Sequence, residues 1–167
     1  ITIAPTATTL TAVYADQGVA ATPGLVAAYA FNETSGSIAN DVTGKGHVAR
    51  LTGGAIWAAG GRHRGAVNLT NPTSMVTVAD ANDLDSSALT LEAWVRPTTL
   101  GSSWRTAIFK EQSGNYAYGL YAHTGTNNPS ANGIIGGADK DIRGTAALAL
   151  NTWTHLAGTY DGTTLRL

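Results

Sequence analysis

The chain has 167 residues, enough for one domain with a core of useful size; 43% are hydrophobic and only 13% are charged. A formal net charge of −1 excludes the field that draws nucleic acid or an anionic membrane. The absence of cysteine excludes disulfides, zinc ribbons and thiolate nucleophiles.

Charged residues usually make up roughly a quarter of a domain. Here the shortfall is filled by Thr, Ala, Ser, Asn and 20 Gly, a mixture suited to short strands and turns rather than long helices. No apolar run approaches the roughly 20 residues of a membrane helix. The N-terminus lacks the basic start and apolar core of a signal peptide. A first residue other than Met and the abrupt end at Leu165-Arg166-Leu167 lead us to expect a piece of a longer polypeptide.

In chain order, residues 1–15 read as strand-like around Ile1-Thr2-Ile3 and Thr9 to Tyr14, too short to bury a core alone. They are expected to be the tail or last strand of a preceding domain, with residues 16–23 as linker and one domain over 24–167. Leu25 to Phe31 is an apolar strand, followed by turn residues at Ser35-Gly36 and from Asp41 to Gly46. Arg62-His63-Arg64, set among glycines, reads as a solvated loop. Val67 to Leu69 and Met75 to Val78 are short strands.

Leu89 to Val95 is the clearest strand: Leu89, Leu91, Ala93 and Val95 share one face, Thr90, Glu92 and Trp94 the other, and Pro97 ends it. Thr106 to Phe109, Tyr116 to Ala122, Gly133 to Ile135 and Thr152 to Tyr160 continue the series. Asp161-Gly162 then turns a hairpin into Thr163 to Leu167. On strict alternation Tyr116 and Tyr118 point one way and Tyr121 the other. Many short strands and no helical periodicity predict an all-β antiparallel sandwich or jelly roll.

Four stretches carry a family resemblance: Gly24 to Tyr29 with Phe31, Glu33, Ser35 and Gly36; Asp41 to His47; Leu91 to Pro97; and Asn151 to Ala157 with Tyr160-Asp161-Gly162. In this order and spacing they resemble the laminin G-like modules of the concanavalin A-like jelly-roll superfamily. The resemblance implies further strands after Leu167, so the domain is expected to be incomplete at its C-terminus. It also implies that Leu25 to Phe31 lacks a neighbour. Where the family commonly shows Phe-Asp-Gly, this chain has Leu69-Thr70-Asn71, so a role for that aspartate does not carry over.

The superfamily includes glucanases, whose active strand alternates acidic residues. Glycoside hydrolysis uses two carboxyl groups, whereas Glu92 stands between Thr90 and Trp94 on its face. Asp139 and Asp141 flank Lys140 in a Gly-rich stretch read as a solvated loop. His47, His63, His123 and His155 accompany no Gly-x-Ser-x-Gly elbow and no His-Glu-x-x-His motif, and His155 reads as structural. The expectation is therefore no enzyme. The sequons at Asn32 and Asn68 are read as chance.

Calcium is the expected cofactor, with Asp41, Gly44 and Gly46 as its ligands: a carboxylate and free carbonyls are the hard oxygens it prefers. The resemblance implies such a site; equally, Asp41 can simply hydrogen-bond within its turn. For ligand binding the candidates are Trp104, Arg105 and Tyr118, an aromatic surface with a polar partner. The expected function is a non-catalytic, extracellular carbohydrate-binding or adhesive module of a multidomain secreted protein. Its partners are then a glycan or surface ligand and its own neighbouring domains, with no nucleic acid and no membrane insertion. A structural spacer, or a fragment of a glycan-active enzyme, are the alternatives.

Overall fold

The computed structural model describes residues 23–167 together with the strands Thr2–Ile3 and Thr8–Thr11. The described strands are, in order, β1 (Thr2–Ile3), β2 (Thr8–Thr11), β3 (Ile38–Ala39), β4 (Ala49–Thr52), β5 (Ile56–Gly61), β6 (Arg64–Leu69) and β7 (Met75–Val78). A 3-10 turn over Asn82–Leu84 precedes β8 (Leu89–Pro97), β9 (Arg105–Gln112), β10 (Asn115–His123), β11 (Ser130–Ile135), β12 (Ala138–Arg143), β13 (Thr154–Tyr160) and β14 (Leu165–Arg166). No described helix is long and apolar enough to cross a membrane.

One layer is a six-stranded antiparallel sheet ordered β14-β13-β8-β2-β6-β5. The other holds two four-stranded sheets, β3-β4-β7-β1 and β9-β10-β11-β12, brought end to end where β1 lies against β9. β8 and β13 face β9, β10 and β11 across the core, which gathers Val67, Val76, Val95, Leu120 and Leu156 from both layers. This is the expected antiparallel sandwich, and β8 shows its period of two. Ala93 and Val95 are buried in the core with Leu91 packed against it, while Thr90, Glu92, Trp94 and Arg96 stand on the outer face.

Several segments differ from the sequence expectation. β4 and β5 were not anticipated, nor was β12, whose six residues are all exposed. An edge strand without a buried face carries no hydrophobic alternation, so residues 138–143 read as loop although they pair fully with β11. Leu25 to Phe31 forms no strand among the described residues; it makes one ladder contact, Tyr29 with Asp41.

The two N-terminal strands, expected to close a preceding domain, pair within this sandwich. β1 lies along β7, and β2 fills the lane between β6 and β8, where it satisfies edge groups of both. Of the linker expected over residues 16–23, residues 16–22 lie outside the described residues. β2 pairs with β8 only at Trp94 to Pro97. Beyond it a groove of about 800 Å³ runs between residues 23–29 and the first half of β8, with Val26, Leu84, Leu91 and Ile108 among its apolar lining.

Candidate functional site

Aromatic side chains gather on the outer face of the β9-β10-β11-β12 sheet. Trp104 stands edge-on to Tyr121 at 4.8 Å between ring centroids, Tyr121 lies 6.3 Å from Phe109, and Phe109 stacks on Tyr116 at 5.6 Å. The order of the row follows from strand pairing: β9 and β10 bring Phe109 opposite Gly119, and the missing side chain there leaves room for the Tyr121 ring. Trp104 is 45% exposed at one end, and Phe109 and Tyr116 are half-buried at the other.

A bulge decides which tyrosines belong to this row. The β9–β10 register shifts between Tyr116 and Tyr118, so the alternation is broken at Ala117. Tyr116 therefore joins Phe109 and Tyr121, and Tyr118 turns into the interior, 8% exposed, with its hydroxyl donating to the Leu84 carbonyl at 2.9 Å. The expected common face of Tyr116 and Tyr118 is corrected on this point. Tyr118 does not stand beside Trp104.

Polar groups border the row. The Tyr116 hydroxyl donates to Asp139 Oδ1 on β12, and Ser130 donates to the Asn132 side chain on β11. Burial and the Asp139 bond keep the Tyr116 phenol protonated well above its ordinary range. Asp141, next to this group, pairs with Arg143. Asp139 and Asp141, expected in a solvated loop, are thus β12 residues at the border of an aromatic surface.

The loop bearing Trp104 is tied down from beneath. His123, 1% exposed, reaches the Ser103 carbonyl through Nδ1 at 2.9 Å and the Asn127 side chain through Nε2 at 3.0 Å. Arg105 opens β9, and its guanidinium packs under Gly101 so closely that a side chain there would displace it. Its Nε is buried without a hydrogen-bond partner. Trp104 thus ends the loop and Arg105 begins the strand that follows it.

Asp41, Gly44 and Gly46 form one turn, built around the carboxylate. Asp41 Oδ1 accepts from the Ala28 and Thr43 amides at 3.2 and 3.0 Å, and Oδ2 from the His47 amide at 3.1 Å. The Thr43 hydroxyl lies 2.7 Å from both oxygens. Gly44 and Gly46 supply the positive φ angles, 76° and 87°, that wrap the chain around this anion. Both carboxylate oxygens thus accept bonds from within the turn. No group of three acidic, imidazole or thiol side chains gathers among the described residues.

A laminin G family model, described as the concanavalin A-like lectin/glucanases superfamily, matches residues 69–167, from the end of β6 through the whole aromatic row. The chain belongs to this superfamily. No curated protein and no solved structure matches it. Within this laminin G-like domain the match includes Trp104, Arg105 and Tyr118, whereas the Asp41 turn lies outside it. Phe109, Tyr116 and Tyr121 were not selected from sequence as one surface; the run of aromatics at 116, 118 and 121 was its only trace.

Proposed function

We propose that this laminin G-like domain is a non-catalytic carbohydrate-binding module of a secreted multidomain protein, and that a sugar docks on the Trp104–Tyr121–Phe109–Tyr116 row. The observation that carries the reading is an aromatic row, exposed at Trp104 and half-buried at Phe109 and Tyr116 over the buried Tyr121, with the Asp139 carboxylate at its border. Aromatic rings cover the apolar face of a sugar while a few placed polar groups select its hydroxyls. Membership of a superfamily of lectins and glucanases supports the same substrate class. Glu92, with Thr90 and Trp94 beside it and His155 3.4 Å away, offers one carboxyl where hydrolysis asks for two.

A glycan array followed by calorimetric titration tests this. The full chain is expected to bind a neutral glycan, and Trp104→Ala and Asp139→Asn each to weaken that binding about tenfold or more at unchanged melting temperature. Absence of binding above background would leave the domain as a spacer.

Calcium belongs to the proposal only as a ligand that competes with Thr43 for the Asp41 carboxylate. Melting with and without millimolar calcium reads it: a midpoint that does not rise removes the ion from the account.

A further inference from the structure

The opposite surface, the outer face of the six-stranded sheet, carries a second arrangement that the aromatic row does not use. Trp94 projects from β8 and is surrounded on three sides. The Arg62 guanidinium lies 4.8 Å from its ring centroid, the His63 ring stands edge-on at 5.8 Å, and His155 on β13 lies 5.3 Å away, tilted by 45°. Two residues along β8 on the same face, the Arg96 guanidinium stands 5.5 Å over Trp153. Strand pairing sets His155 opposite Trp94, and the β5–β6 turn delivers Arg62 and His63.

These arginines differ from the chain's other paired cations. Lys110, Arg143 and Arg166 each face an aspartate at hydrogen-bond distance. Among the described residues neither Arg62 nor Arg96 has an acceptor, and Arg96 Nε is buried with no partner at all. A guanidinium held beside an indole is restrained in position, and the terminal N–H groups of its fork have no acceptor here. Such a fork matches a planar carboxylate with two parallel bonds. Glu92 is the acid on this face, and it leans to His155 at 3.4 Å rather than to either arginine.

We propose that this face binds an acidic polysaccharide, with Arg62 and Arg96 each taking one uronate carboxylate. The polymer class follows from charge density. Two guanidiniums on a flat sheet, in a chain of net charge −1, suit sparse carboxylates spaced along a chain. Double-stranded DNA presents a charge about every 1.7 Å and asks for a broad basic field.

The test is affinity electrophoresis of the full chain in gels containing polygalacturonate, methyl-esterified polygalacturonate, heparin or double-stranded DNA. Retardation is expected in polygalacturonate, with loss on esterification. The Arg62→Gln/Arg96→Gln variant is expected to bind about tenfold or more weakly, with an unchanged melting temperature and unchanged binding of any neutral glycan. Equal retardation by the esterified polymer, stronger retardation by heparin or DNA, or full binding by a folded double variant would each overturn the proposal. Loss of neutral-glycan binding on Trp104→Ala concerns the other face, so the two readings fail separately.

Discussion

The Lys110 ammonium, on a side chain that is almost wholly buried, stands 2.7 Å from the exposed Asp80 carboxylate. Asp85 approaches the same nitrogen at 2.8 Å, so one lysine of β9 clamps both ends of the Asn82–Leu84 turn. The bonds from Asp80 and Asp85 outweigh burial and hold the ammonium protonated above its usual range. Lys110→Ala removes the clamp and opens a void, and is expected to cost about 2 kcal/mol. Lys110→Met keeps the stem and leaves two hydrated carboxylates, so it should cost less than half as much. Urea denaturation reads both; an alanine variant as stable as the parent would sink the assignment.

Acid should loosen the opening turn. Burial alone would raise the Asp41 carboxyl, but the bonds from Thr43, Ala28 and His47 together hold it below its usual range. The folded state therefore resists protonation more than the unfolded chain does. The stability this adds is complete above about pH 4 and is lost as pH falls through the lower folded value. Asp41→Asn should melt earlier at neutral pH, and the gap between the two melting curves should narrow as pH falls below about 4. A constant gap between them across that range would contradict the donor set described.

Alkali should act on two buried tyrosines, Tyr118 in the interior and Tyr121 within the aromatic row. Burial pushes the Tyr118 and Tyr121 phenols up to about 12. Their folded values lie above the unfolded value near 10, so this stability is complete below about pH 10 and is lost as pH rises toward 12. Phenolate absorbance for this pair should appear together with unfolding. Tyr118→Phe forfeits the bond to Leu84 and is expected to cost about 1 kcal/mol at neutral pH. Early ionisation of both residues in an intact fold would refute this.

Gly53 is expected to tolerate no side chain. It sits at a φ of 60°, and a Cβ there would collide with the Thr73 carbonyl. Its own carbonyl accepts from the Thr73 and Ser74 hydroxyls at 3.0 and 3.3 Å, which locks the approach. Gly53→Ala should destabilise by about 2 kcal/mol or more, read as a lower urea midpoint. A midpoint matching the parent would mean that the two turns separate freely.

Much of the fold was legible because its signals are local. The alternation from Leu89 to Val95, the Asp161-Gly162 hairpin and the turn around Asp41 are all written within a few residues, and burial or a bond within the turn enforces each. β12 was not legible, because a strand exposed at every position has no period to read.

The surfaces proposed for binding depended on the third dimension. The residue types of both stand in the sequence, and Trp104 with Arg105 could be named from it. Which of them meet was set by strand pairing. A bulge at Ala117 separates Tyr116 from Tyr118, and the β5–β6 turn carries Arg62 onto Trp94 from 32 positions away. Local preference encodes a strand and its inward face; cross-strand register and sheet order encode what lies beside it.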